Sequence, residues 1–190
     1  MTISVRYPGP KPWSGFAIAL LLLALLLGPY VEHSRQHLLS ENGPVEIAQL
    51  VLLALSVVLY AFRLFRATDA IAAVCITVTF VLIGAMLRET PRCSSTFYEG
   101  GLCLNSFAKD AGMIMAIAGA LLAAYWRRSS LRGAFRPEAV ILFWPLPFSA
   151  LLLFGAVAAE HFHSQGVEEL LELGAYFYTT AHAVWLVQRT

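Results

Sequence analysis

Charged residues are scarce in this chain, which has 13 Lys and Arg and 12 Asp and Glu among 190 residues. Hydrophobic residues make up 58% of the sequence, and the mean hydropathy is +0.68. So little charge cannot cover the surface of a water-soluble globule. The sequence also lacks low-complexity linkers, and it therefore predicts one compact domain, residues 1–190, inside a lipid bilayer.

Several function classes lack their signatures here. A net charge of +1 offers no basic surface large enough for a nucleic acid. No Gly-x-Ser-x-Gly motif indicates a serine hydrolase. Of the five histidines, His182 alone lies well inside an apolar segment, whereas a b-type haem in a membrane usually needs two such ligands.

Six apolar stretches approach the roughly 20 residues that a helix needs to cross about 30 Å of hydrocarbon. They cover about 13–30, 45–62, 70–87, 111–126, 139–159 and 168–186. The fold class predicted is an all-α polytopic transmembrane bundle of six spans. The first stretch has no clear signal-peptide cleavage site, so we expect it to be retained. Pro145 and Pro147 should kink the fifth span.

Lys and Arg residues accumulate on the cytoplasmic side of membrane proteins. If the amino terminus is cytoplasmic, nine of the thirteen basic residues lie on that side. Both termini are then cytoplasmic, and the compact chain suits a multi-pass protein of the bacterial inner membrane. Four of the nine form a basic loop that is expected to contact anionic lipid head groups: Arg127, Arg128, Arg132 and Arg136.

The three cysteines are divided between two environments. Cys93 and Cys103 lie in the loop predicted to be periplasmic, and Cys75 lies in the third span. An oxidising compartment favours a disulfide between the two loop cysteines. A zinc site is the alternative, although the pair lacks CxxC spacing.

Ionisable residues crowd the predicted outer face. Ten of the twelve acids lie at or beyond that boundary. An acid at the end of a helix meets the negative pole of the helix dipole and needs a cationic neighbour. For Glu89 the adjacent Arg88 is the predicted ion-pair partner.

Two spans carry polar stripes at helical spacing. The stripe of the second span contains Glu46, Gln49, Leu53, Ser56, Tyr60 and Arg63, and that of the sixth contains Glu168, Glu172, Ala175, Thr179 and His182. Because polar groups facing lipid are costly, we expect the two stripes to face each other across a shared interior. Such a seam could be an ion path or interhelical hydrogen-bond glue.

Histidines near the outer face suggest a second kind of site. His33 and His37 are four residues apart, and Glu160 and His163 are three apart with His161 between them. These spacings occur in carboxylate and histidine sites for divalent zinc, copper or iron. Solvated histidines at the membrane surface are the favoured explanation of the pattern.

The segment "SENGPVEIAQLVLLAL", residues 40–55, resembles one in uncharacterised bacterial inner-membrane proteins, where an acidic, glycine-containing loop leads into a span. Arg88 with Glu89, and "EELLEL" at 168–173, would be the counterparts of the later acidic pairs. The resemblance implies a multi-span fold and no catalytic residue.

The sequence thus favours a non-enzymatic membrane component, most simply an assembly or accessory partner within a larger complex or a homo-oligomer. A small proton-coupled or cation-coupled transporter or channel element is the alternative. A membrane metalloenzyme is the second alternative.

Overall fold

The computed structural model describes residues 10–40, 43–67, 69–94, 103–128 and 143–188. These ranges contain six α-helices, one short 3-10 turn at Gln36–Leu38 and an isolated β-bridge between Arg92 and Leu104. The six α-helices are α1 (Pro10–Ser34), α2 (Pro44–Phe65), α3 (Asp69–Glu89), α4 (Ser106–Trp126), α5 (Leu146–His161) and α6 (Gln165–Gln188).

Four of these helices are long and apolar enough to cross a membrane, namely Pro12–Ser34, Pro44–Phe65, Ile71–Glu89 and Ser106–Trp126. They indicate a multi-pass membrane protein. The other two helices differ from these four in length or in apolarity. Helix α5 is apolar but has only 16 residues, whereas α6 has 24 residues and carries glutamates, threonines and a histidine that lower its apolarity.

The proline pair lies where the fifth helix begins: Phe143 is helical, Trp144 and Pro145 form a turn, and the helix starts at Leu146. Pro145 precedes the first residue of α5, and Pro147 is the second residue of the helix. Backbone N–H groups in the first turn have no intrahelical acceptor, so proline is tolerated there. The beginning of the predicted span, 139–142, lies outside the described residues. A proline does lie inside α1, at Pro29.

Helix α6 is the centre of the bundle. It packs against α1, α2 and α5, while α3 packs on α2 and α4 packs on α3. Thirteen residues of α6 are buried, including Glu172, Thr179, Thr180 and His182. The least apolar helix is therefore the one most enclosed by protein.

The loop between α3 and α4 is closed as predicted. Cys93 and Cys103 form a disulfide, and Cys75 is a buried free thiol in α3. Backbone hydrogen bonds flank the disulfide, because the N–H of Cys93 donates to Leu104 and that of Leu104 donates to Pro91. The loop thus ties the end of α3 to the beginning of α4.

Glycines allow α1 and α6 to cross closely. A Cβ atom at Gly28 would lie 2.6 Å from Cγ2 and 2.7 Å from the backbone nitrogen of Val167. A Cβ at Gly166 would overlap the carbonyl of Gly28. Glu32, one turn further along α1, accepts a hydrogen bond of 3.2 Å from the N–H of Gly166. Small residues at this crossing let the two backbones meet.

We expect Gly28→Ala to destabilise the bundle by about 1 to 3 kcal/mol, because its methyl group would be pressed against backbone atoms of α6. Gly15→Ala in the same helix is the matched control, since a Cβ there meets no atom within 4 Å. Thermal unfolding in detergent should show a lower Tm for the first variant alone. Equal Tm values would contradict the close crossing.

Candidate functional site

Polar side chains line the interface between α2 and α6. The buried residues of α2 are Gln49, Leu53, Ser56, Tyr60 and Arg63, which repeat every three or four positions and so lie on one face. We call the polar contacts of this face with α6 the polar seam.

Three side-chain pairs form the polar seam. Gln49 Nε2 donates to Glu169 Oε2 at 2.9 Å. Ser56 Oγ and Thr180 Oγ1 share a hydrogen bond of 2.8 Å. Tyr60 Oη and His182 Nδ1 are 2.5 Å apart.

The three pairs also give the relative direction of the helices. Their sequence separations are 120, 124 and 122 residues. A separation that stays nearly constant along the interface means that α2 and α6 run parallel. Both helices therefore enter the bundle at the same face.

A carboxylate cluster lies where α3 meets the first turns of α6. We call it the outer carboxylate cluster, after the face that the sequence predicts to be outside, and we call the opposite end of the bundle the inner end. The cluster comprises Glu89, Glu169 and Glu172 with the guanidinium of Arg88. Arg88 Nη2 lies 2.8 Å from Glu172 Oε1, while Arg88 Nε lies 3.8 Å from Glu89 Oε1. The short ion pair thus joins α3 to α6, and the predicted Arg88–Glu89 contact is the longer one.

Burial distinguishes the members of the cluster. The side chain of Glu172 is 5% exposed and that of Glu89 is 10% exposed, whereas that of Arg88 is 58% exposed. Tyr176 donates a hydrogen bond of 2.8 Å to Glu89 Oε1. Two carboxylates thus share one guanidinium, and the third, Glu169, accepts from Gln49 instead. Unbalanced charge is costly in such a partly buried place.

Aromatic rings enclose the histidine at the inner end of the seam. His182 has no exposed surface. The ring of Trp185 stacks on it with centroids 5.5 Å apart, and that of Trp13 approaches edge-on at 5.8 Å. Trp13 brings the beginning of α1 to this point, so three helices hold His182 in place.

Arg63 ends the polar face of α2. It is 5% exposed, and its Nε donates to the carbonyl of Leu186 at 3.1 Å. Its Nη1 donates to the carbonyl of Arg66. The guanidinium therefore ties the inner ends of α2 and α6 together.

Not every predicted member of the seam faces α2. Thr179 Oγ1 lies 2.8 Å from Ser149 Oγ of α5, and Ser149 also donates to the carbonyl of Ala175. The contact with α2 is made instead by Thr180, which the predicted stripe did not include. Glu46 and Glu168 are half-buried near the outer cluster, and the charge of Glu46 interacts with that of Glu169.

The candidate metal ligands are scattered over the surface. The residues His33, His37, Glu160, His161 and His163 are all exposed. Within the described ranges, no group of three or more His, Cys, Asp or Glu residues is arranged to hold a metal ion. Spacing along one helix could not tell whether a third ligand would be near.

No known protein family, curated protein or solved structure matches this chain. Any function must therefore be argued from the seam and the outer cluster themselves.

Arg88→Ala should destabilise the protein by about 1 to 3 kcal/mol, because it leaves the buried carboxylate of Glu172 without its partner. Adding Glu172→Gln should recover much of that loss, since a neutral amide needs no counter-charge. Unfolding of the single and double variants in detergent forms a double-mutant cycle. Arg35→Ala, at an exposed position after α1, is the control. Strictly additive effects would show that Arg88 and Glu172 do not interact.

Proposed function

We propose that this protein is a six-span inner-membrane protein with both termini in the cytoplasm. In this arrangement α5 and α6 are the last two spans. Helix α6 is about 36 Å long at 1.5 Å per residue, which is enough to cross the hydrocarbon, and its polar side faces protein. The parallel course of α2 and α6 supports the arrangement, since spans separated by an even number of crossings point the same way.

A topology experiment tests this arrangement. A fluorescent reporter that matures only in the cytoplasm should be active at either terminus, and a phosphatase that folds only in the periplasm should be inactive at both. The Cys93–Cys103 disulfide should be opened by a reductant that cannot cross the membrane. Termini found on opposite sides would exclude six spans.

Within this class of non-enzymatic membrane proteins, we propose a small transport element that moves protons through the polar seam. The observation that carries the proposal is the set of ionisable side chains that face one another between the helices, the Arg88–Glu172 pair near one end and the Tyr60–His182 pair further along. Ionisable groups are expensive in a span and mark ion pathways more often than plain packing.

The seam offers proton-binding groups in succession from outside to inside. The outer carboxylate cluster holds more acids than cations and can accept a proton. Gln49 Oε1, beside it, is a buried acceptor without a hydrogen-bond partner in the described part of the chain. Ser56 and Thr180 follow, and His182 is the switchable group of the inner end.

Successive pairs of the seam do not touch. Ser56 and Tyr60 are one helical turn apart, about 6 Å along the axis. A proton can pass between the pairs only if water enters the interface. The proposal therefore includes transient hydration of the α2–α6 contact.

Protein reconstituted into vesicles should dissipate an imposed pH gradient, as measured with a pH-sensitive dye inside the vesicles. Glu172→Gln and His182→Ala should each lower that flux by roughly tenfold or more, because each removes a group that can hold the proton. A gradient that decays no faster than in empty vesicles would refute proton movement.

The matched control is Asp110→Asn, which makes the same change from acid to amide at an exposed position in α4, away from the seam. It should leave the flux unchanged. All variants should elute as the same monodisperse species, so that loss of flux is not loss of folding. Equal losses in Asp110→Asn and Glu172→Gln would contradict a path through the seam.

An assembly or accessory component is the second candidate function. It is favoured by the one-to-one pairing of the seam, since interhelical glue has this form and contributes about 0.6 kcal/mol for each hydrogen bond. In this case the protein should copurify with one defined membrane partner. Glu172→Ala would then lower the yield of the complex while proton flux stays at the level of empty vesicles.

A further inference from the structure

Helix α4 leaves an apolar groove along its inner half. Ala116 is the one buried residue within Ser106–Trp126. A groove of about 510 Å³ separates this part of α4 from the end of α2. It is lined by Leu64, Phe65, Gly119, Leu122, Ala123, Tyr125 and Trp126.

The groove continues between α4 and α3. A second depression of about 200 Å³ shares Leu64, Gly119 and Ala123 with the first and reaches Ile83. Space exists there because α4 presents small residues, and a Cβ at Gly119 would meet no atom within 4 Å. The combined volume lies in the range of sites that bind small molecules, and its walls suit a hydrocarbon chain.

Three arginines stand at the inner end of this groove. Their guanidinium groups lie over aromatic rings, Arg66 over Phe62 at 4.5 Å, and Arg127 and Arg128 over Trp126 and Tyr125, both at 5.1 Å. Arg66 and Arg128 are exposed. Trp126 and Tyr125 both line the groove, so the positive charges border its mouth.

One N–H group of Arg127 makes no hydrogen bond among the described residues. Its Nη2 donates to the carbonyl oxygens of Leu64 at 2.9 Å and Phe65 at 3.2 Å, which caps the end of α2. Its Nε is buried and has no acceptor among the described residues. A buried N–H group of a guanidinium calls for an acceptor, and a phosphate oxygen is the kind that arginine binds best.

We propose that this groove binds one anionic phospholipid, with an acyl chain between α2 and α4 and the phosphate against Arg66, Arg127 and Arg128. Three features favour this ligand: the apolar walls, the aromatic pair at the level of the head groups and the cluster of positive charge. Arg132 and Arg136 follow in the sequence and lie outside the described residues. That the lipid belongs to the cytoplasmic leaflet rests on the orientation proposed above.

Quenching of Trp126 tests the site. The protein is reconstituted into phosphatidylcholine vesicles that contain brominated chains on either phosphatidylglycerol or phosphatidylcholine. Subtracting the signal of Trp126→Phe isolates Trp126 from the other three tryptophans. We expect phosphatidylglycerol to be preferred by roughly tenfold or more, since each arginine near the membrane surface contributes about fivefold in affinity.

Two kinds of variant separate the head group from the chain. Arg66→Gln and Arg128→Gln should each lower the preference for phosphatidylglycerol about fivefold, whereas Arg35→Gln, at an exposed position on the opposite side, should not. Gly119→Leu adds a branched side chain to the groove, starting from a Cβ that meets no atom within 4 Å, and should reduce quenching of Trp126 by both lipids.

Equal quenching by the two lipids, or arginine variants that keep the preference, would overturn the proposal. A concentration-dependent dimer that Gly119→Leu converts to a monomer would overturn it as well, because a second copy of the chain would then occupy the groove. The measurement uses no ion gradient, so failure of the lipid site and failure of proton movement are distinguished.

Discussion

Polar side chains at membrane depth must find their partners inside the protein, and this requirement organises the whole bundle. Helix α6 has the largest share of such side chains, and it is the helix that α1, α2 and α5 surround. Its polar groups point in three directions. Thr179 meets α5, Thr180 and His182 meet α2, and Glu172 meets Arg88 of α3. The apolar helices are thereby left to face the hydrocarbon.

Close approach of the backbones makes this arrangement possible. Tyr60 of α2 can pair with His182 of α6 only if neighbouring helices fix the position of α6. The Gly28–Gly166 crossing brings α1 close to α6, and Trp13 of the same helix covers His182. The packing around His182 therefore depends on the crossing at Gly28, which lies 15 residues from Trp13 along α1.

Much of this fold could be predicted from the sequence, because the spacing of polar residues and the hydropathy are properties of short segments. The stripe on α2 recurs in the structure, with Gln49, Ser56, Tyr60 and Arg63 all buried on one face. The choice of partners could not be predicted in the same way. Thr179 and Thr180 differ by about 100° around the helix, and which of them meets α2 depends on the rotation of α6 within the bundle. The short contact between Arg88 and Glu172 joins residues 84 positions apart, and no local pattern encodes it.

The structural role of Arg127 could not be predicted from the sequence either. The sequence placed Arg127 in a basic loop, and the lipid contact predicted for that loop stays a prediction. The structure adds that its Nη2 caps the end of α2, a role that only the folded backbone defines.

The ionisable character of the seam is the feature that packing alone explains least. Serine, threonine and glutamine would supply interhelical hydrogen bonds at small cost, as Ser56 with Thr180 and Ser149 with Thr179 do here. A charge at the centre of a span costs about 2.5 to 3.5 kcal/mol on insertion scales, so every glutamate or arginine adds a penalty that a neutral residue avoids. Glu172 is buried with an arginine that is itself largely exposed, which leaves much of the carboxylate's desolvation uncompensated. The buried carboxylate of Glu172, paired with a largely exposed guanidinium, is the feature on which the proposed proton binding rests.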